Sequence, residues 1–370
     1  MKALCPREAL LSACQLTSAA IPSKDLKPIL KNLKAVAGDD RCTLIATDLE
    51  VGIRLDIHGL EILETGEAIL PAKKLIDILR EARDDKLEIE ADASACYVRG
   101  TTSSLDFEMP SEDPAQFPDF PTFNEERYHE ITAGTLREMI RRTVFACADE
   151  AQRYSMTGVM WELDGGSAKL VATDGRRLAL AEGVATAVGG HTTKGQTPVV
   201  PAKAMGLLER NLQDDPEETV KVCIRPNEVL FRTGRAVIYS RLVEGRFPDY
   251  RAVLPKKSEV KLTLNVADFQ SAVRQAAIMT DNEAPRVTFK FGKDKLTLLA
   301  QGAMAGRSKV ERPLEYSGKA IDVNFNPHYV TEFLKVLPLD QELKLELNDG
   351  GSPALFRCGE QYAYLVMPLT

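Results

Sequence analysis

An acidic residue, a glycine and two arginines stand together near the middle of the chain, in the stretch LVATDGRRLALAEG that ends at Gly183. Asp174 could act as a catalytic acid or base, and Arg176 with Arg177 could bind a phosphate group. Such catalysis would need a partner acid, base or metal ligand in a nearby motif, and the sequence offers none. Asp174 followed by Gly175, between two runs of alternating apolar residues, is also a strong turn signal, because glycine accepts positive φ and aspartate caps its own backbone. These residues therefore favour a turn over a catalytic centre.

The cysteines and histidines give no support to a metal site or a redox pair. The chain contains 7 Cys and 4 His, all dispersed, and has no C-x-x-C motif. An odd number of scattered cysteines is typical of reduced and mostly buried thiols. We therefore expect no disulfide, no metal and no other cofactor.

Length and composition indicate a soluble protein of several domains. A chain of 370 residues is long enough for two or three cores, and 44% hydrophobic with 27% charged residues is typical of globular proteins. No apolar run is long enough to span a membrane. Arg7 and Glu8 interrupt the N-terminal segment, which favours an amphipathic helix over a signal peptide. We expect a cytoplasmic location.

The charge of the chain is unevenly distributed. The formal net charge is −7, divided as −8 over residues 1–124, −1 over 125–250 and +2 over 251–370. Proteins that bind nucleic acids usually have a basic balance. An acidic exterior can coexist with a locally basic surface, so the total does not exclude a DNA-binding protein.

The chain repeats itself. ILPAKKLIDILREA, which starts at Ile69, returns as VVPAKAMGLLERNL, which starts at Val199, at an offset of 130 residues. FPDF at 117–120 returns as FPDY at 247–250, and LIATD returns as LVATD. A fainter third copy keeps the order, because the strand-like segments CTLIAT, AKLVAT and KLTLLA end at Thr47, Thr173 and Ala300. The first copy reads TDLEVGIRL and lacks the glycine of the second, so we do not expect a strict turn chemistry to be required there. These repeats predict three similar units.

Each unit is predicted to contain a helix, several hairpin strands, a second helix and further strands. Amphipathic segments near the head of the units are PREALLSACQLTSA, AGTLREMIRRTVFACA and VADFQSAVRQAAIM. The segment KDLKPILKNLKAV has lysines at helical spacing but takes the place of the hairpin strand TGVMWELDGG, so we expect a strand. MPSEDPAQFPDFPTFNEE and EGRFPDYRAVLPKK are predicted linkers. They divide an antiparallel α+β fold into domains 1–124, 125–250 and 251–370.

These units, with VATDGRRLA, GRFPDYRAVLP and the terminal YAYLVMPLT in this order, resemble the bacterial replicative sliding clamp family, the beta subunit of DNA polymerase III. The resemblance spans the whole chain and implies a DNA-clamp fold, with antiparallel sheets outside and two helices of each domain facing a central pore. It implies a head-to-tail homodimer that encircles duplex DNA and supports processive synthesis without catalytic activity. The implied partners are double-stranded DNA, the replicative polymerase alpha subunit, the clamp loader, and other polymerases and repair proteins that bind through short peptide motifs.

Basic side chains of the inner helices would contact the DNA backbone, an interaction that is sensitive to salt and independent of sequence. The helix faces carry two basic clusters, which an ordinary solvated surface could also explain: Lys73, Lys74 and Arg80, and Arg137, Arg141 and Arg142. By resemblance, the candidate DNA contacts are Lys24, Lys73, Arg153, Tyr154 and Lys203. The sequence departs from the family pattern at Ser155, where a second aromatic residue is common, and at the acidic Glu150. We expect weaker or shifted contacts there.

The resemblance also implies that the opening motif lines an apolar pocket for partner peptides between the second and third domains. A C-terminal strand of alternating residues can serve a core with one face and a pocket with the other, and methionine adapts to varied partners. Carried over position by position, the pocket residues are Met156, Thr173, Gly175, Arg176, Arg177, Leu178, Pro248, Val253, Asn326, Tyr329, Leu365, Val366, Met367, Pro368 and Leu369. Ala252, at a position that is often basic, and the last residue Thr370 depart from the family pattern. The pocket rim would therefore prefer a different peptide.

We expect dimer contacts at two places, namely Leu105 and Phe107 on an edge segment, and Ile278 and Met279 at the end of a helix in the third unit. Pairing exposed apolar edges between protomers would remove an aggregation hazard. Two other functions stay open at this point. One is a hydrolase that uses Asp174 with an arginine as phosphate anchor, and the other is a repeat scaffold that binds proteins but never DNA.

Overall fold

A computed structural model describes residues 1–22, 27–149, 154–213, 215–281, 283–303 and 306–369. Three consecutive segments of the chain have nearly the same order of elements. The first segment contains β1 (Lys2–Pro6), α1 (Arg7–Ser18), β2 (Leu33–Ala37), β3 (Cys42–Thr47), β4 (Val51–Ile57), β5 (Glu61–Glu64), β6 (Gly66–Leu70), α2 (Ala72–Glu81), β7 (Lys86–Ala91), β8 (Ala95–Gly100) and β9 (Asp106–Pro110). The second contains β10 (Tyr128–Thr132), α3 (Ala133–Thr143), β11 (Gly158–Asp164), β12 (Ser167–Thr173), β13 (Arg177–Val184), β14 (Thr186–Val188), β15 (Val199–Pro201), α4 (Ala202–Asn211), β16 (Thr219–Ile224), β17 (Glu228–Arg232) and β18 (Ala236–Arg241). The third contains β19 (Val260–Asn265), α5 (Val266–Ala277), β20 (Val287–Gly292), β21 (Lys295–Gly302), β22 (Gly306–Pro313), β23 (Ile321–Phe325), α6 (Pro327–Lys335), β24 (Glu342–Leu347), β25 (Ala354–Cys358) and β26 (Tyr362–Val366).

The strands form four antiparallel sheets. Their strand orders are β5-β1-β7-β8-β9, β14-β10-β16-β17-β18-β4-β3-β2-β6, β15-β11-β12-β13-β26-β25-β24-β19 and β22-β21-β20-β23. Two sheets are shared between segments, because β18 pairs with β4 and β26 pairs with β13. The other two sheets each belong to one segment, and they end at the edge strands β9 and β22. The α+β fold of three repeated units is therefore confirmed.

Local residues set the helix starts. The Thr132 hydroxyl accepts a hydrogen bond from the Thr135 N–H at 3.4 Å before α3, and such a cap satisfies one of the free N–H groups of the first turn. α2 and α4 instead follow Pro71 and Pro201, where a missing N–H costs nothing. Each of the helices α1 to α6 begins with at most one residue between it and the preceding strand. The chain therefore passes from sheet to helix without a loop.

The helices and sheets of the three segments enclose one continuous apolar core. α1 packs on α2, and α5 packs on α6. Trp161 is fully buried beside Phe231, with ring centroids 5.6 Å apart. Phe333 of α6 stacks on Tyr364 of β26 at 4.5 Å. Burial of a large side chain of this kind stabilises the fold by about 2 to 3 kcal/mol.

The predicted strand before β3 begins later than expected. Residues Pro28–Lys31 form a short 3-10 helix, and β2 begins only at Leu33. Pro28 has no N–H for a sheet ladder and is well suited to the first position of a helical turn.

The third repeat is shifted by one residue from its predicted alignment. Ala300 pairs with Ser308 and lies in the apolar core, as Ala46 and Ala172 do in the first two segments. Ala300 therefore corresponds to these alanines and not to the threonines that follow them. The core face of the strand decides the alignment, because a shift of one residue would turn every side chain to the other face.

Two buried histidines face each other in the second segment. The Nδ1 atoms of His129 and His191 are 2.7 Å apart, and the N–H of Ile224 approaches Nε2 of His191 at 3.2 Å. Burial and the neighbouring imidazole lower the pKa of His129 to about 4, and burial lowers the pKa of His191. This hydrogen bond needs a proton on one of the two facing Nδ1 atoms and none on the other, so protonation of both imidazoles removes it.

The cysteines are unpaired, and all except Cys147 are buried, as the sequence predicts. Burial raises the pKa of Cys5 to about 12, so this thiol stays protonated. Among the described helices, none has both the length and the apolar character needed to cross a bilayer.

Candidate partner pocket, DNA face and subunit edge

The DGRR motif forms a side-chain-capped turn between β12 and β13. Oδ1 of Asp174 accepts hydrogen bonds from the N–H groups of Arg176 and Arg177 at 2.8 and 3.0 Å. The Thr173 hydroxyl donates to the Arg177 carbonyl at 2.6 Å and accepts from the Gly175 N–H at 3.0 Å. Gly175 has a φ of +83°, which glycine adopts without strain. Asp174 thus shapes the loop, as expected from the turn signal.

The same turn occurs in the first segment without a glycine. Oδ1 of Asp48 accepts from the N–H groups of Glu50 and Val51 at 2.9 and 2.7 Å, and the Thr47 hydroxyl accepts from the Leu49 N–H at 2.9 Å. Leu49 has a φ of +78°. The expectation that this site does not require the glycine is confirmed, because the same turn forms with a leucine in its place. The Thr and Asp side chains impose the turn, and Leu49 bears its strain.

Arg177 links three elements at the junction of the second and third segments. Its guanidinium pairs with Asp174 at 3.1 Å, with Glu332 of α6, and with the Phe145 carbonyl at 2.7 Å. It also lies over the Tyr329 ring, 4.6 Å from the centroid. Burial alone would lower the pKa of Arg177, but Tyr364, Glu332 and Asp174 raise it above its ordinary value. The side chain therefore stays charged and holds α6 against the turn.

The apolar part of the predicted pocket lies where β13 meets β26. Leu178 opposes Leu365 in the ladder, and both belong to an apolar cluster separate from the main core. Val366, the residue after Leu365, packs in the main core instead. Of these two neighbours, Val366 is therefore the one that faces the core. Met367 is 40% exposed and Val253 is 48% exposed. Apolar groups at this exposure are available to a partner.

The end of the chain is fixed by backbone contacts. The Met367 N–H donates to the Arg176 carbonyl at 2.8 Å, and the Leu369 N–H donates to the Asn324 carbonyl at 2.8 Å. Pro368, between them, is half-buried. The last described residues therefore form one wall beside the turn.

The helix α6 supplies a further wall. The Asn326 side chain caps α6 by accepting from the His328 N–H at 3.0 Å. Tyr329 forms a side-chain hydrogen bond with Arg176 that raises the pKa of this arginine. Met156 is buried at the end of a 3-10 turn, and Pro248 is half-buried in the second linker.

The structure adds two residues that sequence reasoning missed. Glu332 and Phe145 both contact the Arg177 guanidinium. Glu332 follows Tyr329 by three positions, which places both on one helix face, but no spacing connects either residue with Arg177.

The candidate DNA contacts fall into three groups. Lys73 and the adjacent Lys74 are exposed on α2. Nζ of Lys203 pairs with Asp48 at 2.6 Å, so this lysine also serves the junction of the first two segments. Lys24 and Arg153 lie outside the described residues, as does Glu150, and the structure does not describe the side chain of Tyr154.

The second basic cluster is largely occupied by internal contacts. Arg137 donates to the carbonyls of Leu212 and Gln213, and Nε of Arg141 pairs with Glu209 at 2.6 Å. The Arg142 guanidinium lies 5.0 Å from the centre of the Tyr362 ring. Arg137 and Arg141 therefore make contacts within the second segment, and Arg142 reaches the third. Arg80 lies near Asp77 at 3.7 Å in an exposed position.

The expected dimer residues lie on or beside two of the edge strands, β9 and β22. Phe107 is on the edge strand β9 and is 44% exposed, whereas Leu105 precedes the strand and is half-buried. Ile278 is 71% exposed, and Met279 follows it directly after α5. α5 packs on the edge strand β22. The two places therefore belong to different sheets, one in the first segment and one in the third.

Within the described ranges, no group of three or more His, Cys, Asp and Glu side chains could hold a metal ion. The geometry around Asp174 is that of a structural turn, with both oxygens occupied by the chain itself.

Comparisons with known proteins agree with this architecture. Family models of the DNA polymerase III beta subunit match residues 1–121 with its N-terminal domain, 130–249 with its central domain and 251–370 with its C-terminal domain. The beta sliding clamp of Pseudomonas putida is 30% identical over 98% of this chain and 98% of its own length. The chain belongs to the beta sliding clamp family. It acts as a processivity clamp of DNA polymerase III and has no catalytic role.

Solved clamps share the fold over the full chain. The DNA polymerase III subunit beta of Pseudomonas aeruginosa matches with a TM-score of 0.88 at 27% identity and covers 100% of both chains. The sliding clamp of Bacillus subtilis matches with a TM-score of 0.91 at 24% identity, over 100% of this chain and 99% of its own.

Proposed function

We propose that two copies of this chain close head to tail into a ring, with β9 of one protomer paired with β22 of its partner. At the first internal junction β18, the last strand of the second segment, pairs with β4 of the first. At the second junction β26, the last strand of the third segment, pairs with β13 of the second. β9 is the last strand of the first segment, and β22 takes the place of β4 and β13 in the third. Both are edge strands, and exposed edges pair readily.

The internal junctions supply the register of the proposed contact. Ile238 opposes Ile53 at the first junction, and Tyr364 opposes Ala179 at the second. Phe107 corresponds to Ile238, because each lies on the last strand of its segment and pairs with a buried residue of the strand just before it. Ser308 corresponds to Ile53 and Ala179, because each of the three pairs with the equivalent alanine of its segment. These alanines are Ala300, Ala46 and Ala172. The ring would therefore close with Phe107 opposite Ser308.

This register pairs opposite charges. Glu108 would face Arg307 and Asp106 would face Lys309 of the partner, and all four side chains are exposed in the single chain. Opposite charges on neighbouring strands stabilise the pairing. Phe107 would lie on the side of α5, where Ile278 and Met279 can cover it. Phe107, Ile278 and Met279, with Leu105 behind them, would form the apolar part of the interface.

We assign three domains to each protomer, at 1–124, 125–250 and 251–370. The repeated element order and the three family matches support these boundaries. The two prolines of the FPDF and FPDY motifs stand in the linkers between them.

Duplex DNA would pass through the ring and contact the helices. Lys73 and Lys203, with Lys24, Arg153 and Tyr154, are the proposed contacts on each protomer. Lysine and arginine contacts with phosphates do not depend on sequence, which suits a protein that slides. The acidic balance of the chain would keep DNA away from the outer surface.

The pocket beside the DGRR turn would bind peptides of partner proteins. Two anchored side chains of the Leu or Phe type would contribute roughly 1.5 to 3 kcal/mol each. After the cost of ordering, the affinity would be about micromolar, so partners could exchange. The proposed partners are the replicative polymerase alpha subunit, the clamp loader, and other polymerases and repair proteins. The proposed location is the cytoplasm.

Primer extension on a singly primed circular template tests this function. The assay contains the DNA polymerase III alpha subunit, a clamp loader and either the wild-type chain, Met367→Gln or the control Leu339→Gln. Leu339 is 55% exposed and lies outside the pocket. Long products with the wild type and the control, and short products with Met367→Gln, support the proposal. Short products with the wild type, under conditions where a clamp of a relative gives long ones, would refute it.

A further inference from the structure

A second groove lies at the junction of the first and second segments, where the repeat would put a counterpart of the partner pocket. Its volume is about 1120 Å³. The groove is lined by Glu50 of the β3–β4 turn, by residues 196–199 and 226–228, and by the end of β18 with the chain that follows it, at 239 and 241–245.

A backbone hydrogen bond beside this groove has a counterpart beside the partner pocket. The Arg241 N–H donates to the Glu50 carbonyl at 2.8 Å, just as the Met367 N–H donates to the Arg176 carbonyl at 2.8 Å. Both acceptors follow the positive-φ residue of a Thr-Asp turn. Arg241 therefore occupies the place of Met367.

The next contact repeats as well. The Val243 N–H donates to the Val199 carbonyl at 2.8 Å, and the Leu369 N–H donates to the Asn324 carbonyl at 2.8 Å. Val199 and Asn324 both precede the first helical residue of α4 and α6 by three positions. Residues 241–243 thus follow the same path beside the turn as residues 367–369.

The side chains of the groove differ from those of the pocket in charge. Its floor stays apolar, with Val199 buried and Leu242 and Val243 half-buried. Its rim carries the carboxylates of Glu50, Glu228 and Glu244. Arg241 is 3.5 Å from Glu50, and Glu228 is paired with Arg225. Glu244 and the exposed Glu50 are therefore the acidic groups most accessible to a partner.

Leu49 directly precedes the rim residue Glu50 in the Thr-Asp turn. It is 40% exposed at a positive φ, although a glycine would adopt this turn at lower cost. Strained residues persist where the surrounding structure dictates them, and they cluster at binding sites.

We propose that this groove is a second docking site and that it binds an extended peptide with an apolar side chain flanked by lysine or arginine. The inference rests on the proposed role of the pocket between the second and third domains. The acidic rim disfavours DNA and acidic peptides and complements a basic one. Each protomer would then hold two partners with different sequence preferences.

Two labelled peptides and four proteins test the proposal by fluorescence anisotropy. The probes are acetyl-Arg-Leu-Arg-Val-Arg-amide, which is basic, and acetyl-Ser-Leu-Ser-Leu-Phe-amide, which is neutral. The proteins are the wild type, the groove variant Glu50→Lys/Glu244→Lys, its control Glu61→Lys/Glu64→Lys, and Met367→Gln. The control makes the same change of net charge on the exposed strand β5, which belongs to a different sheet from the strands that line the groove.

The basic peptide should bind the wild type, the control and Met367→Gln alike, and should bind the groove variant about tenfold more weakly, the factor for two exposed charge reversals. The second site would be overturned if the basic peptide bound the groove variant as tightly as the wild type, or if the control lost as much affinity as the groove variant. Failure of the basic peptide to bind the wild type would overturn it as well. The neutral peptide reports on the other pocket. Its failure to bind the wild type would count against the proposed function and not against this groove.

Discussion

Reversing one charge at the proposed β9–β22 contact should weaken the dimer, and reversing both partners should restore it. Glu108 and Arg307 would face each other across the interface in the register of the internal junctions. The single variants are Glu108→Arg and Arg307→Glu, and the double variant combines them in one chain. Glu61→Arg is the matched control, because β5 is the opposite edge of the same sheet as β9.

The expected magnitude follows from the geometry of the ring. A cross-strand pair of opposite charges contributes about 0.2 to 1 kcal/mol, and like charges are unfavourable by a similar amount. A single reversal therefore costs about 1 kcal/mol at each contact. A head-to-tail ring contains this contact twice, so the dimer Kd should rise about thirtyfold. The double variant should return to within about threefold of the wild type.

Sedimentation or mass photometry over a dilution series measures the dimer Kd. The effect of the single reversals should shrink near 1 M salt, where the screening length is about 3 Å. Additive weakening in the double variant would refute the register. Equal weakening by Glu61→Arg would show that the effect comes from total charge and not from this contact.

Three further predictions concern the two Thr-Asp turns, Arg177 and the histidine pair. Gly175→Ala should lower the free energy of unfolding by about 1 kcal/mol, whereas Leu49→Gly should keep or raise it, because only the first puts a side chain into a left-handed backbone; urea denaturation measures both. Arg177→Ala should cost about 3 kcal/mol in the same assay, since it leaves the carboxylates it pairs with uncompensated in a site where the guanidinium is only 8% exposed. The pair of His129 and His191 should make stability depend on pH. Their pKa values lie below the unfolded value in the folded state, and that of His129 is about 4, so unfolding takes up protons as the pH falls. Stability should drop by about 1 to 2 kcal/mol between pH 7 and pH 5, and His129→Asn should reduce this dependence.

Each of these outcomes has a clear contrary result. Equal losses for Gly175→Ala and Leu49→Gly would mean that the two turns are not equivalent. A loss below about 1 kcal/mol for Arg177→Ala would mean that the junction does not depend on this side chain. The same pH profile in His129→Asn and the wild type would assign the acid sensitivity to other groups.

Much of the fold is encoded in short signals that the sequence displays. Pro-Ala-Lys before a helix, the Thr-Asp turn and the proline-rich linkers recur at fixed offsets, so three units and their order could be predicted. The position of Leu49 could not be predicted, because propensity argues against a leucine at positive φ. The hydrogen bonds of Thr47 and Asp48 override this propensity.

The sites depend on contacts that spacing does not encode. Arg177 reaches Glu332 across 155 positions, and Lys203 reaches Asp48 across the same separation. The strands β9 and β22 become recognisable as matching edges only when the sheet order is known, because β18–β4 and β26–β13 are tertiary pairings. The sequence supplied the candidate residues, and the fold supplies the reasons to group them.

Retention on circular DNA is the most direct test of a ring that encloses its substrate. The chain is loaded by a clamp loader on nicked circular duplex, freed of unbound protein, and measured before and after the DNA is cut once. Retention on the circle at high salt, with rapid loss on cutting, is the predicted result, because topology and not affinity would hold the ring. Equal retention on circular and cut DNA would contradict encirclement, and so would no retention on either form when a control clamp loads.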